Sequence, residues 1–218
     1  MTPDAASETE HAEQDAAHGA LARAVARLVE ASVLTEVPLD EVRSVTAEVD
    51  RLSERLETQA TEGSLGSVVS DAGVRNHGNA VRGLRNPLAV VPDEQRWVED
   101  DRLHFRFRLG AAYEGPPHHV HGGVLALVLD QALGEAAAVF GGPGMTGRLT
   151  LHFRRATPLG DASTEAWVES SSGGKTVAKG RLYDAEGHLC VEAEGLFIFP
   201  KWAADHPQWA RLSSERVR

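Results

Sequence analysis

With a single cysteine, Cys190, in 218 residues, the chain closes no intrachain disulfide and supplies no cysteine-rich zinc site. Cys190 stands among apolar neighbours and reads as a small packed residue. Positive charge is also scarce: 22 basic residues face 32 acidic ones, a net charge of −10. So acidic a chain has no broad attraction to polyanions, which argues against a nucleic-acid binder, although a local basic patch can still hold a phosphorylated ligand. The first residues lack what a secretory signal needs. Met1 to Gln14 carry Asp4, Glu8, Glu10 and Glu13 with no basic start and no apolar core, so cytoplasmic residence is the default expectation. This length suits one good core plus an appendage.

Polar residues are missing from one stretch. After His121-Gly122-Gly123 comes an apolar run, Val124 to Leu129, that ends on a lone carboxylate, Asp130. The glycines allow close backbone approach, and the unpaired N–H groups of a helix start would follow there and attract partial negative charge. From Val124 to Phe140 the apolar residues fall on every side of a helical wheel, which predicts a helix buried all round. Asp130, Gln131 and Glu135 interrupt it, and at about 15 to 18 residues it is too short for a membrane span, so no insertion is expected.

The rest of the chain changes character twice. Residues 1–17 read as an acidic, disordered tail. Residues 18–75 read as a helical extension and linker: Leu21, Val25, Leu28 and Val29 recur at helical spacing, as do Leu39, Val42, Val45, Val49, Leu52 and Leu56, with Pro38 between the two helices. Ser64 to Asn79 is rich in Gly, Ser and Asn and reads as a linker. From Gly83 the pattern turns to short strands. Leu103, Phe105, Phe107 and Leu109 alternate with His104, Arg106 and Arg108, and Leu149, Leu151 and Phe153 alternate with Arg148, Thr150, His152 and Arg154. Further strands are expected at 95–99, 163–170, 175–184 and 188–199. The fold class is therefore α+β, an antiparallel sheet around one central helix over residues 76–200, followed by a tail at 201–218.

That order of elements resembles the hotdog fold, and residues 83–199 resemble the PaaI-type acyl-CoA thioesterases. The matching pieces are Asn86-Pro87, Tyr113-Glu114-Gly115-Pro116-Pro117, His121-Gly122-Gly123 with Asp130, Met145-Thr146-Gly147-Arg148-Leu149 running into Phe153-Arg154-Arg155, Gly174-Lys175-Thr176 and Glu194-Gly195-Leu196-Phe197-Ile198. Residues 1–75 lie outside the resemblance. It implies hydrolysis of an acyl-CoA to a carboxylic acid and free coenzyme A. Attack on a thioester carbonyl needs a donor where the oxygen becomes negative and an acceptor that activates the incoming group. Gly122 N–H suits the first role and Asp130 the second, as nucleophile or as base acting through water. Thr146 matches a family position that orients the carboxylate or the water, against a bland reading as a β-former at a strand start. His121 bonds the substrate carbonyl or shapes the helix start.

Gly122 and Asp130 are eight residues apart, so along one helix they are separated by about 12 Å. One thioester does not reach both, and the site is expected to combine Gly122 of one subunit with Asp130 of another. A homodimer is the minimum, and pairs of dimers are common in the family. Several thioesterases of the family it resembles place an Asn or Gln where this chain has Gly115, which leaves the second oxyanion donor open, with His121 or Asn86 as substitutes. Asn86 also reads as a turn residue before Pro87. Gly123, Arg154, Arg155 and Lys175 are candidates for binding the substrate and its nucleotide, alongside the reading of the cations as solvated face residues. His118, His119 and His121 lack a further ligand at metal spacing, so no metal is expected, and no cofactor apart from the coenzyme A of the substrate. Two other functions fit the same fold: a non-catalytic acyl-CoA-binding protein, and an acyl-thioester dehydratase, for which His121 is poorly spaced.

Overall fold

Alternation along one strand sets the architecture. In the computed structural model, which describes residues 5–66, 68–70, 73–75 and 77–200, Leu103, Phe105, Phe107 and Leu109 all point into the core while His104, Arg106 and Arg108 face outward. This strand, β4 (Arg102–Leu109), follows β3 (Arg96–Glu99) and is joined by β5 (Met145–Phe153), β6 (Gly160–Ser172), β7 (Lys175–Asp184) and β8 (Leu189–Ile198). They form one antiparallel sheet in the order β3-β4-β6-β7-β8-β5. Helix α3 (Gly122–Ala136) lies against the inner faces of β4 to β8 and continues as a π-helical turn over Ala137–Gly141. This is the hotdog arrangement expected from the sequence.

Small residues make room for the helix. Ala162, Ala166, Ala178 and Ala193 are buried on the strands facing α3. At Gly134 of α3 an added Cβ would meet the Phe197 ring at 3.3 Å, and at Gly195 one would meet the same ring at 2.6 Å. Phe197 therefore fills the gap that these two glycines leave between helix and sheet. Leu125, Val128, Leu129, Ala132, Leu133 and Ala136 bury the sheet-facing stripe of α3. Cys190 is buried in the same cluster, as a packed residue.

The helix is not buried all round. Leu127 and, in the π-helical turn, Val139 are 44% and 49% exposed, so the face of α3 away from the sheet stays open. By length and composition Gly122–Gly141 would also suit a bilayer, but Leu125, Val128, Leu129 and Leu133 are buried against the sheet instead.

The chain clusters into two units, Met1–Asn79 with Gly83–Pro87, and Ala80–Arg82 with Leu88–Arg218. In the first, α1 (Ala5–Leu34) takes in most of the segment expected as a disordered tail. The Ala, Glu and Gln of that segment are good helix formers, and this propensity outweighs its lack of apolar residues. Leu84 reaches Gly19 of α1, and His77 approaches Asp15 at 3.9 Å. Helix α2 (Leu39–Glu57) starts after Pro38, with Asp40 and Glu41 in its first turn and Arg55 in its last, as the helix dipole favours. None of its residues is buried. The stretch expected as a linker contains a hairpin, β1 (Val68–Ser70) against β2 (Gly73–Arg75); its β-branched Val68, Val69 and Val74 favour pairing. The tail at 201–218 lies outside the described residues.

Candidate active site

The start of α3 is built by a stitched loop. Glu114 and Val120 form a bridge, His119 pairs with Pro158, and the N–H groups of Val120 and Leu159 donate to the Thr157 and His118 carbonyls. His118 adopts a left-handed conformation (φ 65°). Its N–H donates to Glu114 Oε1 at 2.6 Å, which holds that strained turn. Tyr113 anchors the approach by donating its hydroxyl to Leu88 O, and its carbonyl accepts from His121 N–H.

His121 is the N-cap of α3. Its Nδ1 accepts from Gly123 N–H at 3.0 Å, and its carbonyl accepts from Val124 and Leu125 N–H. Nδ1 thus carries no proton, and the ring's proton sits on Nε2. These contacts occupy the amides around Gly122 and leave Gly122 N–H as the first-turn donor that the cap does not use. The ring of Phe153, on β5, lies 3.5 Å from where a Gly122 Cβ would sit. Gly115 has a steric reason: a Cβ there would meet His121 Cα at 2.7 Å. An Asn or Gln side chain has no room at this position.

Two turns further along α3, Asp130 is half-buried on the open side. Thr146 of β5 donates its hydroxyl to Asp130 Oδ1 at 2.8 Å. The β5–β8 register shifts between Thr146 and Arg148, and Gly147 fills the irregularity because a Cβ there would meet Ile198 Cδ1 at 2.8 Å. Such a bulge re-aims neighbouring side chains. Here it accompanies the turn of Thr146 toward the helix.

The other expected residues are spread out. Asn86, within the N-terminal unit, donates its amide to the Gly78 and Asn79 carbonyls, as a turn residue does. Arg154 is paired with Glu192 at 2.9 Å. Arg155 follows it, its N–H donating to Cys190 O. Lys175 aligns with Ile198, the partner of Met145, whereas Phe153 aligns with Val191. Lys175 and the Arg154–Arg155 pair therefore lie toward opposite ends of β5, roughly 26 Å apart at a strand's rise.

For Glu135, in the sequence only an interruption of the apolar run on α3, sequence reasoning misses the partners. Glu135 accepts from Arg82 through both oxygens (2.9 and 2.8 Å), from Arg96 Nε at 2.8 Å and from Gln131 at 2.9 Å. Burial pushes its carboxyl up, but the hydrogen bonds and charge of Arg82, with the hydrogen bonds of Arg96 and Gln131, outweigh it and hold the group below the ordinary carboxylate range. At the β7–β8 turn Asp184, Glu186 and His188 also bring one ligand atom each within 4.8 Å of one another. Asp184 Oδ1 there accepts the N–H groups of Glu186 and His188, which closes the turn.

Comparison with known proteins places the fold in a family. Residues 118–191, from the loop before α3 into β8, match the thioesterase superfamily. Acyl-coenzyme A thioesterase THEM4 of Xenopus laevis is 36% identical over 95 residues, 42% of this chain and 42% of that protein. The chain thus spans about two fifths of the length of that curated relative. The crystal structure of a thioesterase superfamily protein aligns with a TM-score of 0.73 at 31% identity, covering 83% of this chain and 90% of that one. Residues 76–218 are too few to supply that coverage, so the likeness extends into the N-terminal unit.

Proposed function

The chain belongs to the thioesterase superfamily, and on that premise we propose that it hydrolyses acyl-CoA thioesters to a carboxylic acid and free coenzyme A. The observation that carries this reading is the hydrogen bond from Thr146 to Asp130 on the open face of α3. It fixes a carboxylate beside a surface that a substrate can reach. Asp130 either takes a proton from a water that attacks the carbonyl, or attacks it directly to give a mixed anhydride that water then cleaves. The oxygen that becomes negative is held by Gly122 N–H at the positive end of α3. The C–S bond breaks, and the thiolate leaves as coenzyme A after taking up a proton. The reaction draws on no metal and no cofactor beyond the coenzyme A of the substrate, and we place it in the cytoplasm. The acyl-coenzyme A named for the Xenopus relative is the substrate class adopted here.

The active form in this proposal is a homodimer. Gly122 and Asp130 are about 12 Å apart along one helix, so one thioester takes its donor from one copy and its carboxylate from the other. The open surface supports this. β5 ends the sheet beside β8, and Met145 and Phe153 on it are 51% and 56% exposed. A nine-residue edge with exposed apolar side chains invites a second strand. Arg155 of one copy and Lys175 of the other, which have no carboxylate partner among the described residues, serve the coenzyme A phosphates.

A thiol-release assay across aromatic, medium-chain and long-chain acyl-CoAs, on wild type and Asp130→Asn, tests the reading. Selective turnover by wild type and none by the variant is expected. Wild-type rates from Asp130→Asn remove Asp130 from the mechanism, and no thiol release from any member of the panel removes the hydrolase reading.

A further inference from the structure

We propose that α2 pairs antiparallel with α2 of a second copy of this chain. The proposal is independent of the thioester chemistry. Along α2 the apolar residues Val42, Val45, Val49, Leu52 and Leu56 recur in alternating steps of three and four, the 3.5-residue period of a coiled-coil seam. The flanking positions are polar: Thr46 and Ser53 on one side, Glu41, Glu48 and Arg55 on the other. A helix that packs on a globular core carries a wider apolar face. The seam is bare in one protomer, with Val45, Leu52 and Leu56 exposed by 38%, 52% and 57%.

The charges choose the occupant and its direction. With a twofold axis between Asp50 and Arg51, Val45 meets the partner's Leu56 and Val49 meets the partner's Leu52. Each of these layers, and its symmetry mate, sets a small β-branched residue against a leucine. In the same register Glu48 meets the partner's Arg55, twice by symmetry, and Thr46 meets the partner's Ser53. Parallel pairing sets Glu48 against the partner's Ser53 and forms no ion pair. Sliding the antiparallel pair back one heptad also forms two ion pairs, Glu41 with the partner's Arg55, but sets Glu48 against the partner's Glu48 at the axis, a repulsion that the proposed register lacks. A face that complements itself across a twofold axis is made for its own copy.

The test is disulfide trapping in the full chain. T46C/S53C should give a covalent dimer under mild oxidation. Positions 46 and 53 of one helix are about 10.5 Å apart, beyond the reach of an intrachain disulfide, so the bond reports pairing between copies. S53C alone and T46C alone should give little, and wild type controls for Cys190, which is buried. In the T46C/S53C background, E48R should lower the yield about fivefold by setting a second cation against the partner's Arg55, and E48R/R55E should restore it. No covalent dimer from T46C/S53C overturns the proposal. So does equal trapping by S53C alone, or indifference to the charge exchange. Because α2 buries nothing in its own protomer, these variants leave the fold intact.

Discussion

Two carboxylates on α3, five residues apart, have opposite fates. Glu135 is surrounded by Arg82, Arg96 and Gln131, and its two oxygens accept four hydrogen bonds. Asp130 is half-buried on the open face, where the hydroxyl of Thr146 holds one of its oxygens. A carboxylate held by two guanidiniums is fixed and deprotonated, with no lone pair to spare for a substrate or a water. One held by a single hydroxyl is aimed and keeps acceptor capacity. What faces each acid thus sets one apart as a structural anchor and leaves the other as the candidate for chemistry, and an acid interrupting an apolar run does not by itself announce which kind it is.

The sharpest way to break the comparison is to neutralise each acid in turn. Asp130→Asn keeps the shape and removes the proposed base or nucleophile. Thiol release should fall roughly 10³-fold, while the unfolding midpoint stays within about two degrees of wild type. Glu135→Gln should do the reverse. Leaving Arg82 and Arg96 without their shared anion costs about 3 kcal/mol, a drop of roughly 9 °C in Tm for a chain of this size. Equal Tm for Glu135→Gln and wild type would show that the cluster holds nothing together.

Acid extends the same test. Because the folded Glu135 carboxyl is lowered from 4.5, its stabilisation is fully present above that value and is lost as pH falls through the lowered one. The difference in stability between wild type and Glu135→Gln, followed by urea unfolding, should therefore hold constant from about pH 7 down to about pH 5. It should shrink below 4.5. A difference that grows on acidification would contradict the assignment.

Much of the hotdog unit is legible in the sequence because its signals are local. The alternation of Leu103, Phe105, Phe107 and Leu109 carries its own period, and β7 runs over Lys175–Asp184, where the sequence pattern puts it. His121-Gly122-Gly123 marks a helix start by cap and glycine, and the cap geometry follows. What escapes depends on distance. Arg82 reaches Glu135 across 53 residues, and no window of sequence holds both. The open face of α3 is hidden for a related reason: apolar residues all round a helix signal burial, but not whether one chain or two supply the cover. In the sequence Gly115 looks like a missing amide. Only the closeness of His121 shows that a side chain has no room there.

The smallest expected effect probes the one bond that distinguishes Asp130. Thr146→Val keeps the volume and the β-propensity of the residue on an exposed strand position and removes only the hydroxyl. If that hydroxyl merely decorates β5, neither rate nor stability changes. If it aims Asp130, the carboxylate keeps its charge and samples unproductive rotamers. Then kcat should fall about tenfold, a cost of roughly 1.4 kcal/mol in the transition state, with KM and Tm unchanged. Thr146→Ser, which restores a hydroxyl without the methyl, should recover most of the rate. Recovery by serine separates positioning from packing, because serine is the worse strand former and returns only the donor.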